Sequence, residues 1–229
     1  MDPQHQFKQA AAESAAALVE DGMILGLGTG STAKLAIDVI GQRVKNGLSV
    51  IGIPTSEGTA QQARSLGIPL STLDEHPAID LTIDGADEVQ LGPLNLNKGR
   101  GGALLREKIV ASASRQLVIM VDESKLVERL GSHFPLSVEL IPFGWSVAAR
   151  KLEALGAKVA LRSGSDGKPY VSDGGHYIVD CAFGPIASPA KLEFELNSLV
   201  GLVEHGLFLG MASQVIVAGS DGIRVLLPR

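Results

Sequence analysis

The sequence has a single cysteine and few aromatic residues. Cys181 is the only cysteine among 229 residues, so no intrachain disulfide can form, and its position in an apolar run predicts a buried, unreactive thiol. Aromatic residues make up 4% of the chain, whereas hydrophobic residues as a whole make up 45%. A core of small aliphatic side chains is typical of parallel strands that are covered by helices.

The chain also lacks long apolar runs, a signal peptide and an excess of positive charge. Charged residues or glycines interrupt every apolar run before it reaches the length of a membrane span. The N-terminus has no basic region followed by an apolar one, as a secretory signal would. A net charge of −5 argues against nucleic acid and anionic membranes as partners. We therefore expect a cytoplasmic protein. An anionic small ligand is compatible with this charge, because a local pocket can be positive on an acidic protein.

Strands and helices alternate through the first part of the chain. Five strand-like segments, separated by helical ones, are MILGLG, LSVIGIPTS, IPLSTL, AIDLTID and QLVIMVD. The helix after the first of them has Ser31 or Thr32 available as its N-cap. This alternation is typical of an open, mostly parallel, doubly wound sheet of the Rossmann-like kind.

The order of elements changes after residue 131. From there the segments read β-α-β-β-α-β, as LSVELIP, GWSVAARKLEALG, AKVALR, YIVDCAF, SPAKLEFELNSLV and LVEHGLF, an order typical of a ferredoxin-like α+β domain. The tail, QVIVAGSDGIRVLLP, predicts a strand pair that returns to the first sheet. We predict an α/β protein with a Rossmann-like catalytic domain, residues 1–131 plus 209–229. A ferredoxin-like domain that serves oligomerisation, residues 132–208, is inserted into it.

A glycine-rich segment, GLGTGSTA at residues 26–33, follows the first predicted strand. Ligands of open α/β sheets bind outside the carboxyl ends of the strands. The glycines admit a ligand close to the backbone, Thr29, Ser31 and Thr32 supply hydroxyls, and the next helix offers free N–H groups to an anion. The spacing matches neither a dinucleotide fingerprint nor a Walker loop. Taken alone, the segment is either a phosphate cradle or a tight strand-to-helix turn.

The acidic segment DGADE follows another predicted strand. Asp84 and Asp87 come directly after it, which places their carboxylates at the ligand-binding edge of the sheet. We interpret Glu88 as part of an Asp-Gly turn that caps a helix. Carboxylates alone would also allow a Mg²⁺ site. However, the five histidines show no ligand spacing and Lys98 competes as the counter-charge, so we predict no metal site.

The segment KGRGGALLREK combines a lysine among glycines with a carboxylate on a helix. Lys98 can approach a ligand oxygen without obstruction by neighbouring side chains. The residues one helical turn away from Glu107 are all apolar, namely Leu104, Val110 and Ala111. Partial desolvation on such a face favours the neutral carboxyl and makes the carboxylate a better proton acceptor. The alternative is a local ion pair of Glu107 with Arg106 or Lys108.

These motifs, together with DESK and FPLSVELIP, resemble type A ribose-5-phosphate isomerase in the same order along essentially the whole chain. That family interconverts ribose 5-phosphate and ribulose 5-phosphate through an enediolate, in the pentose phosphate pathway. The resemblance implies a sugar phosphate as substrate and no metal or organic cofactor. The inserted domain and the aliphatic composition favour a homodimer or homotetramer.

The resemblance also implies roles for individual residues. Glu107 resembles the catalytic base, and Lys98, Asp84 and Asp87 match the other catalytic polar residues. The positions that match substrate-binding segments are Thr29, Gly30, Ser31, Thr32, Gly85, Ala86, Gly99, Arg100, Gly101 and Lys125. Lys8 is a weaker candidate for the phosphate. Arg100 departs from the pattern, since glycine would be expected there as readily, and it adds a cation next to Lys98.

Two other functions are compatible with parts of the sequence. A sugar-phosphate sensor would keep the phosphate loop without catalysis, but no helix-turn-helix segment is evident and the full set of Asp84, Asp87, Lys98 and Glu107 is present. An amino-sugar phosphate deaminase or a CoA transferase would make KGRGG and DGADE coincidental.

Overall fold

The computed structural model describes residues 3–229, which form six α-helices and fourteen strands. The helices are α1 (Pro3–Ala16), α2 (Ser31–Lys45), α3 (Glu57–Ser65), α4 (Leu104–Ser112), α5 (Trp145–Ala154) and α6 (Pro189–Asn197). The first seven strands are β1 (Ile24–Leu27), β2 (Ile51–Pro54), β3 (Ile79–Gly85), β4 (Glu88–Gln90), β5 (Leu96–Asn97), β6 (Ser114–Asp122) and β7 (Leu126–Val127). The others are β8 (Leu136–Leu140), β9 (Lys158–Leu161), β10 (Tyr177–Ala182), β11 (Leu202–His205), β12 (Leu207–Phe208), β13 (Gln214–Gly219) and β14 (Gly222–Leu226).

The chain divides into two compact units, neither of which is continuous in sequence. The first unit contains the described residues up to Ala86, together with Arg106–Lys125 and Gly210–Arg229. The second contains Asp87–Leu105 and Leu126–Leu209. These boundaries differ from the predicted ones, since residues 87–105, 126–131 and 209 belong with the second unit. Within residues 3–229, no helix has the length and apolar character needed to span a bilayer.

The first unit is built on a six-stranded sheet in the order β14-β13-β6-β3-β1-β2. Every neighbouring pair is parallel except β13 with β14, which is antiparallel. The prediction of an open, mostly parallel sheet is therefore confirmed, as is the return of the tail to this sheet as a strand pair.

Helices cover both faces of this sheet. The main core of the unit joins α1 and α2 to inward-facing residues of four strands, including Leu25 and Leu27 of β1. Gly26 lies between these two leucines, so it faces the other way. A Cβ at Gly26 would lie 2.7 Å from Cγ1 of Val110 on α4, so α4 packs closely on the opposite face. Helices on both faces make the sheet doubly wound, as predicted.

The second unit contains two four-stranded sheets. One has the order β11-β8-β10-β9 with all pairs antiparallel, which is the strand arrangement of a ferredoxin-like domain and confirms that prediction. Its core includes Cys181, which is buried as expected. The other sheet has the order β12-β5-β4-β7 and was not predicted, because three of its strands have only two residues each.

Two strand predictions were wrong in detail. IPLSTL forms no strand and contributes a single bridge between Leu70 and Gly52, since Pro69 lacks the N–H that a continuing ladder needs. LVEHGLF is not one strand but two, β11 and β12, which belong to different sheets and are separated by Gly206.

Candidate active site

The first unit brings the glycine-rich segment and Asp84 together at the point where the strand order reverses. After β1 the chain continues through α2 to β2 on one side, whereas β3 lies on the other side of β1. Gly28 N–H donates to the Ile83 carbonyl (3.0 Å) and Thr29 N–H donates to Asp84 Oδ1 (3.2 Å). Such a switch point is where open α/β sheets bind ligands.

Gly28 is required by the close approach of these two strand ends. A Cβ at this position would lie 2.7 Å from the Asp84 Cα, which is backbone and cannot rotate away. The absence of a side chain at Gly28 therefore allows the Thr29 amide to reach the Asp84 carboxylate. Asp84 is 1% exposed, and its Oδ1 also accepts from the Gly85 N–H (2.8 Å).

Four hydroxyl groups form a cluster, which consists of Thr29 after β1, Thr55 and Ser56 after β2, and Thr59 in α3. Thr29 Oγ1 lies 2.7 Å from Thr55 Oγ1, 2.8 Å from Ser56 Oγ and 3.1 Å from Thr59 Oγ1. Thr55 donates to the Leu27 carbonyl (3.0 Å) and Thr59 to the Gly28 carbonyl (2.9 Å). The hydroxyl cluster thus fixes the backbone of the glycine-rich segment, and the side chain of Thr29 belongs to it.

Helix α2 begins directly after this segment. Its N-cap is Gly30 rather than the predicted Ser31 or Thr32, and the cap makes no side-chain hydrogen bond. Gly30 has a φ of 119°, in the left-handed region that favours glycine. The N-cap residue therefore supplies no side chain to the first N–H groups of α2, an arrangement suited to an anion.

Lys98 is buried in the second unit, at the start of the segment that also holds Gly99, Arg100, Gly101 and Gly102 (the 98–102 loop). The residue is 4% exposed, and its Nζ lies 5.6 Å from the centroid of the Phe208 ring. The Lys98 N–H donates to the Gly206 carbonyl (2.9 Å), and a Cβ at Gly206 would clash with the Lys98 carbonyl oxygen. Burial of a cation against an aromatic face fixes its position and strengthens its field.

Asp87 and Arg100 are also brought together in the second unit. Asp87 Oδ2 accepts from the Arg100 N–H (3.0 Å), so this carboxylate holds the backbone of the 98–102 loop. The Arg100 guanidinium lies 4.3 Å from the centroid of the Phe134 ring. The unexpected cation at position 100 is therefore held on an aromatic side chain of its own unit.

Glu88 does not cap a helix, contrary to our interpretation of the sequence. It begins β4 and is completely buried. Its carboxylate accepts from the N–H groups of Gly131 (2.6 Å), His133 (2.5 Å) and Phe134 (3.2 Å). A buried carboxylate with this many backbone donors is satisfied, and it connects β4 to the loop ahead of β8.

Glu107 lies in the first turn of α4 and is 4% exposed, in agreement with the apolar face predicted for it. The neighbouring Arg106 donates to Glu57 Oε1 (2.9 Å). This hydrogen bond and the charge of Arg106 lower the pKa of the exposed Glu57 carboxyl. Of the remaining candidates, Lys125 ends the short 3₁₀ helix Glu123–Lys125 after β6, and Lys8 lies on α1.

The comparisons with known proteins agree with the motifs. Residues 51–222 match the family described as ribose 5-phosphate isomerase A (phosphoriboisomerase A). Ribose-5-phosphate isomerase A from Gloeobacter violaceus is 62% identical over 97% of this chain and 96% of its own.

The chain belongs to the ribose 5-phosphate isomerase A family.

Solved structures of ribose 5-phosphate isomerases have the same fold. The enzyme from Methanocaldococcus jannaschii is 41% identical with a TM-score of 0.94, over 98% of this chain and 99% of its own. A D-ribose-5-phosphate isomerase in complex with phospho-erythronic acid is 39% identical with a TM-score of 0.94, over 97% and 98% of the two chains. The match to the isomerase family thus covers both units. It replaces the alternative assignments to a deaminase or a CoA transferase.

Several residues that organise these isomerase segments were missed in the sequence. Thr55, Ser56 and Thr59 lie in IPTSEGT, where no motif distinguished them from an ordinary strand end. Arg162 follows β9 and donates to the carbonyls of Gly99 and Arg100, more than 60 positions earlier. Only the tertiary fold brings such distant residues together. Within residues 3–229, no group of three or more His, Cys, Asp or Glu is arranged to hold a metal ion.

Proposed function

We propose that the protein interconverts D-ribose 5-phosphate and D-ribulose 5-phosphate through an enediolate, with Glu107 as the base that acts on carbon and Lys98 as the main partner of the enediolate oxygen. Family membership over nearly the whole chain carries the assignment of the reaction. The observation that supports the two residue roles is the burial of both charged side chains, each 4% exposed. Lysine and glutamate are rarely buried to this extent in proteins.

The reaction needs one proton to move between two adjacent carbons. In the proposed mechanism the Glu107 carboxylate removes the proton from C2 of the open-chain aldose, and the electron pair delocalises onto the C1 carbonyl oxygen. The Glu107 carboxyl then returns a proton to C1, while a proton moves from the C2 hydroxyl to the C1 oxygen. A buried carboxylate suits this task because its lost hydration makes proton transfer more favourable.

Lys98 would stabilise the negative charge that develops on the oxygens. Its ammonium group is preorganised by the Phe208 ring and by the backbone contact with Gly206. A fixed charge needs no reorganisation as the enediolate forms, which is where electrostatic stabilisation is largest. We assign Asp87 to orientation of Lys98 or of the substrate hydroxyls, and its hydrogen bond to the 98–102 loop supports that role.

The phosphate would bind at the N-terminus of α2, in residues Thr29–Thr32. The uncapped N–H groups of α2 and the rigid backbone above the hydroxyl cluster support this assignment. We assign Lys125 to the phosphate, Lys8 as a weaker candidate, and Asp84 to opening of the sugar ring. Gly85, Ala86, Gly99, Arg100 and Gly101 complete the proposed substrate contacts. An anchored phosphate fixes the reacting carbons near the base, which lowers the entropic cost of reaction.

An assay of the purified protein with ribose 5-phosphate, in the presence of a chelator, tests this proposal. We expect ketose to form, and in D₂O we expect solvent deuterium at C1 of ribulose 5-phosphate, because a carboxylate base exchanges its proton with solvent. Binding of ribose 5-phosphate without turnover would instead identify a sensor. Turnover without deuterium incorporation would contradict exchange of the Glu107 proton with solvent.

We further propose that the ferredoxin-like domain joins copies of this chain into a homodimer or homotetramer. Large apolar side chains of this domain are exposed, with Phe143 94%, Phe194 77% and Val200 83% accessible. Exposed apolar groups of this size mark interaction surfaces. We also propose the cytoplasm as the location, which a single free cysteine supports because a protein without disulfides tolerates a reducing compartment.

A further inference from the structure

Arg162 uses every donor of its side chain in the second unit. Its Nε donates to Asp180 Oδ2 (3.0 Å), and its Nη2 donates to Ser137 Oγ (2.8 Å) and to Asp180 Oδ1. Its Nη1 donates to the carbonyls of Gly99 (2.7 Å) and Arg100 (3.3 Å). A guanidinium has five N–H donors, and each of them has a partner here.

One side of this guanidinium is held by the sheet. Ser137 lies on β8 and Asp180 on β10, and Asp180 also accepts from the Ser137 hydroxyl (3.2 Å). The backbone of Arg162 is fixed as well, since its N–H donates to Ile178 (2.9 Å) and its carbonyl accepts from Tyr170 (2.8 Å). The Arg162 side chain is 15% exposed, so water screens these contacts little. Arg162 is therefore a rigid part of the ferredoxin-like domain.

The other side of the guanidinium holds the 98–102 loop. Gly99 has a φ of 118°, and a Cβ there would lie 2.6 Å from the Cβ of Ser137, so the loop lies directly on β8. A Cβ at Gly102 would clash with the Tyr170 hydroxyl. The two carbonyls that Arg162 binds follow Lys98 immediately in the chain, so they determine the direction in which the backbone leaves that residue.

We propose that Arg162 is a positioning residue that sets the geometry of Lys98 by binding the Gly99 and Arg100 carbonyls. This inference depends on the proposed role of Lys98. Lysine cannot replace Arg162, because an ammonium lacks the planar fork that reaches the carboxylate, the hydroxyl and both carbonyls at once. A displacement of about 1 Å in a catalytic group is sufficient to lower the rate by about 10²-fold.

A double-mutant cycle tests the inference, with kcat and KM for ribose 5-phosphate as readouts. Arg162→Met should lower kcat about 10²-fold with a much smaller change in KM. In a Lys98→Met background the same substitution should lower kcat little further, because it acts through Lys98. Arg150→Met, which removes an exposed arginine from α5 of the same unit, should leave kcat unchanged.

Arg162→Lys keeps the positive charge near Asp180, so it should destabilise the fold less than Arg162→Met does. We expect it to retain the melting temperature better than Arg162→Met while losing kcat. A wild-type kcat in Arg162→Lys would overturn this inference but not the proposed role of Lys98. The same holds if Lys98→Met lowers kcat and the double mutant loses kcat by the product of the two single effects. A wild-type kcat in Lys98→Met would overturn the proposed role of Lys98, and this inference with it.

Discussion

Glu107 is the residue on which the proposed chemistry depends most directly. Glu107→Gln preserves shape and removes basicity, so we expect kcat to fall by roughly 10²–10⁴-fold, the usual contribution of a positioned acid–base group. Steady-state turnover of ribose 5-phosphate measures the effect. Glu153→Gln, a matched change at an exposed position of α5, should have no effect. A near-wild-type kcat in Glu107→Gln would assign the carbon base to another residue.

Cys181 illustrates how burial controls reactivity at a single position. Burial raises the pKa of its thiol from 9.0 to about 12, with a smaller contribution from the charge of Asp180. At pH 9 about half of the unfolded thiol is ionised, but only about one in a thousand of the folded thiols is. We therefore expect alkylation at pH 9 to be very slow in the native protein and fast in denaturant. Rapid native labelling would show that the thiol is accessible.

The same shift in pKa makes the thiol a source of alkaline instability. Between pH 9 and about 12 the folded state retains a proton that the unfolded state loses. The contribution of the Cys181 thiol to the free energy of unfolding is therefore fully present below pH 9 and is lost as the pH rises towards about 12.

Among the elements, the junction of β1 and α2 carries the tightest packing requirement. In Gly28→Ala, the new Cβ would press on the Asp84 backbone and force β1 and β3 apart. We expect a loss of stability of about 1–3 kcal/mol, the usual cost of overpacking. We also expect a higher KM, because the proposed phosphate-binding residues Thr29–Thr32 would move. Thermal unfolding and steady-state kinetics measure the two effects.

Gly58→Ala is the appropriate control for this change. Gly58 lies in α3, close to the hydroxyl cluster, where a Cβ has nothing nearer than Ser56 Oγ at 3.9 Å. Alanine in a helix is more favourable than glycine by about 0.5–1 kcal/mol, so this variant should be as stable as the wild type or more so. Equal destabilisation of both variants would contradict the packing argument.

The alternation of strands and helices in the sequence was sufficient to predict the parallel sheet and the ferredoxin-like order, because most of those elements bury an apolar face. Strands β5, β7 and β12 were not predictable, since two residues carry no periodicity. The N-cap of α2 was assigned incorrectly because the hydroxyls of Ser31 and Thr32 suggested a side-chain cap. The structure instead uses Gly30, whose conformation leaves the helix N-terminus open.

In the candidate site, too, some residues could be predicted from the sequence and others could not. Lys98, Asp87 and Arg100 were found from local motifs, whereas Arg162 was not, because its partners are distant in sequence. Polar residues that hold a loop from another element have no local pattern, and only the pairing of β8, β9 and β10 brings Arg162 to that loop. Sequence motifs therefore revealed groups proposed to contact the substrate better than the groups that support them.

At the scale of the whole molecule, the chain passes between its two units at residues 86–87, 105–106, 125–126 and 209–210. The segment that carries Lys98 thus belongs to the unit built on the ferredoxin-like sheet, rather than to the parallel sheet that precedes it in sequence. Any interaction that stabilises the second unit, including association with another copy, would also stabilise the 98–102 loop.

That association is testable through the exposed apolar residues of the second unit. The Ile141 N–H donates to the Gly201 carbonyl (3.0 Å), so the segments that carry Phe143 and Val200 run side by side. We expect light scattering to give two or four times the 23.9 kDa chain mass. Aspartate at position 143 or 200 should lower that mass, because an ionised group buried in an apolar interface is costly.

The control for this prediction is Val225→Asp on strand β14, an exposed apolar position of the first unit that is 53% accessible. It introduces the same charge outside the proposed interface, so the mass should not change. If Phe143→Asp and Val200→Asp leave the mass unchanged while Val225→Asp lowers it, the copies associate through the parallel-sheet unit, and the ferredoxin-like domain has a different role. Because association would stabilise the 98–102 loop, the variants that lower the mass should also lower kcat, whereas Val225→Asp should leave kcat unchanged.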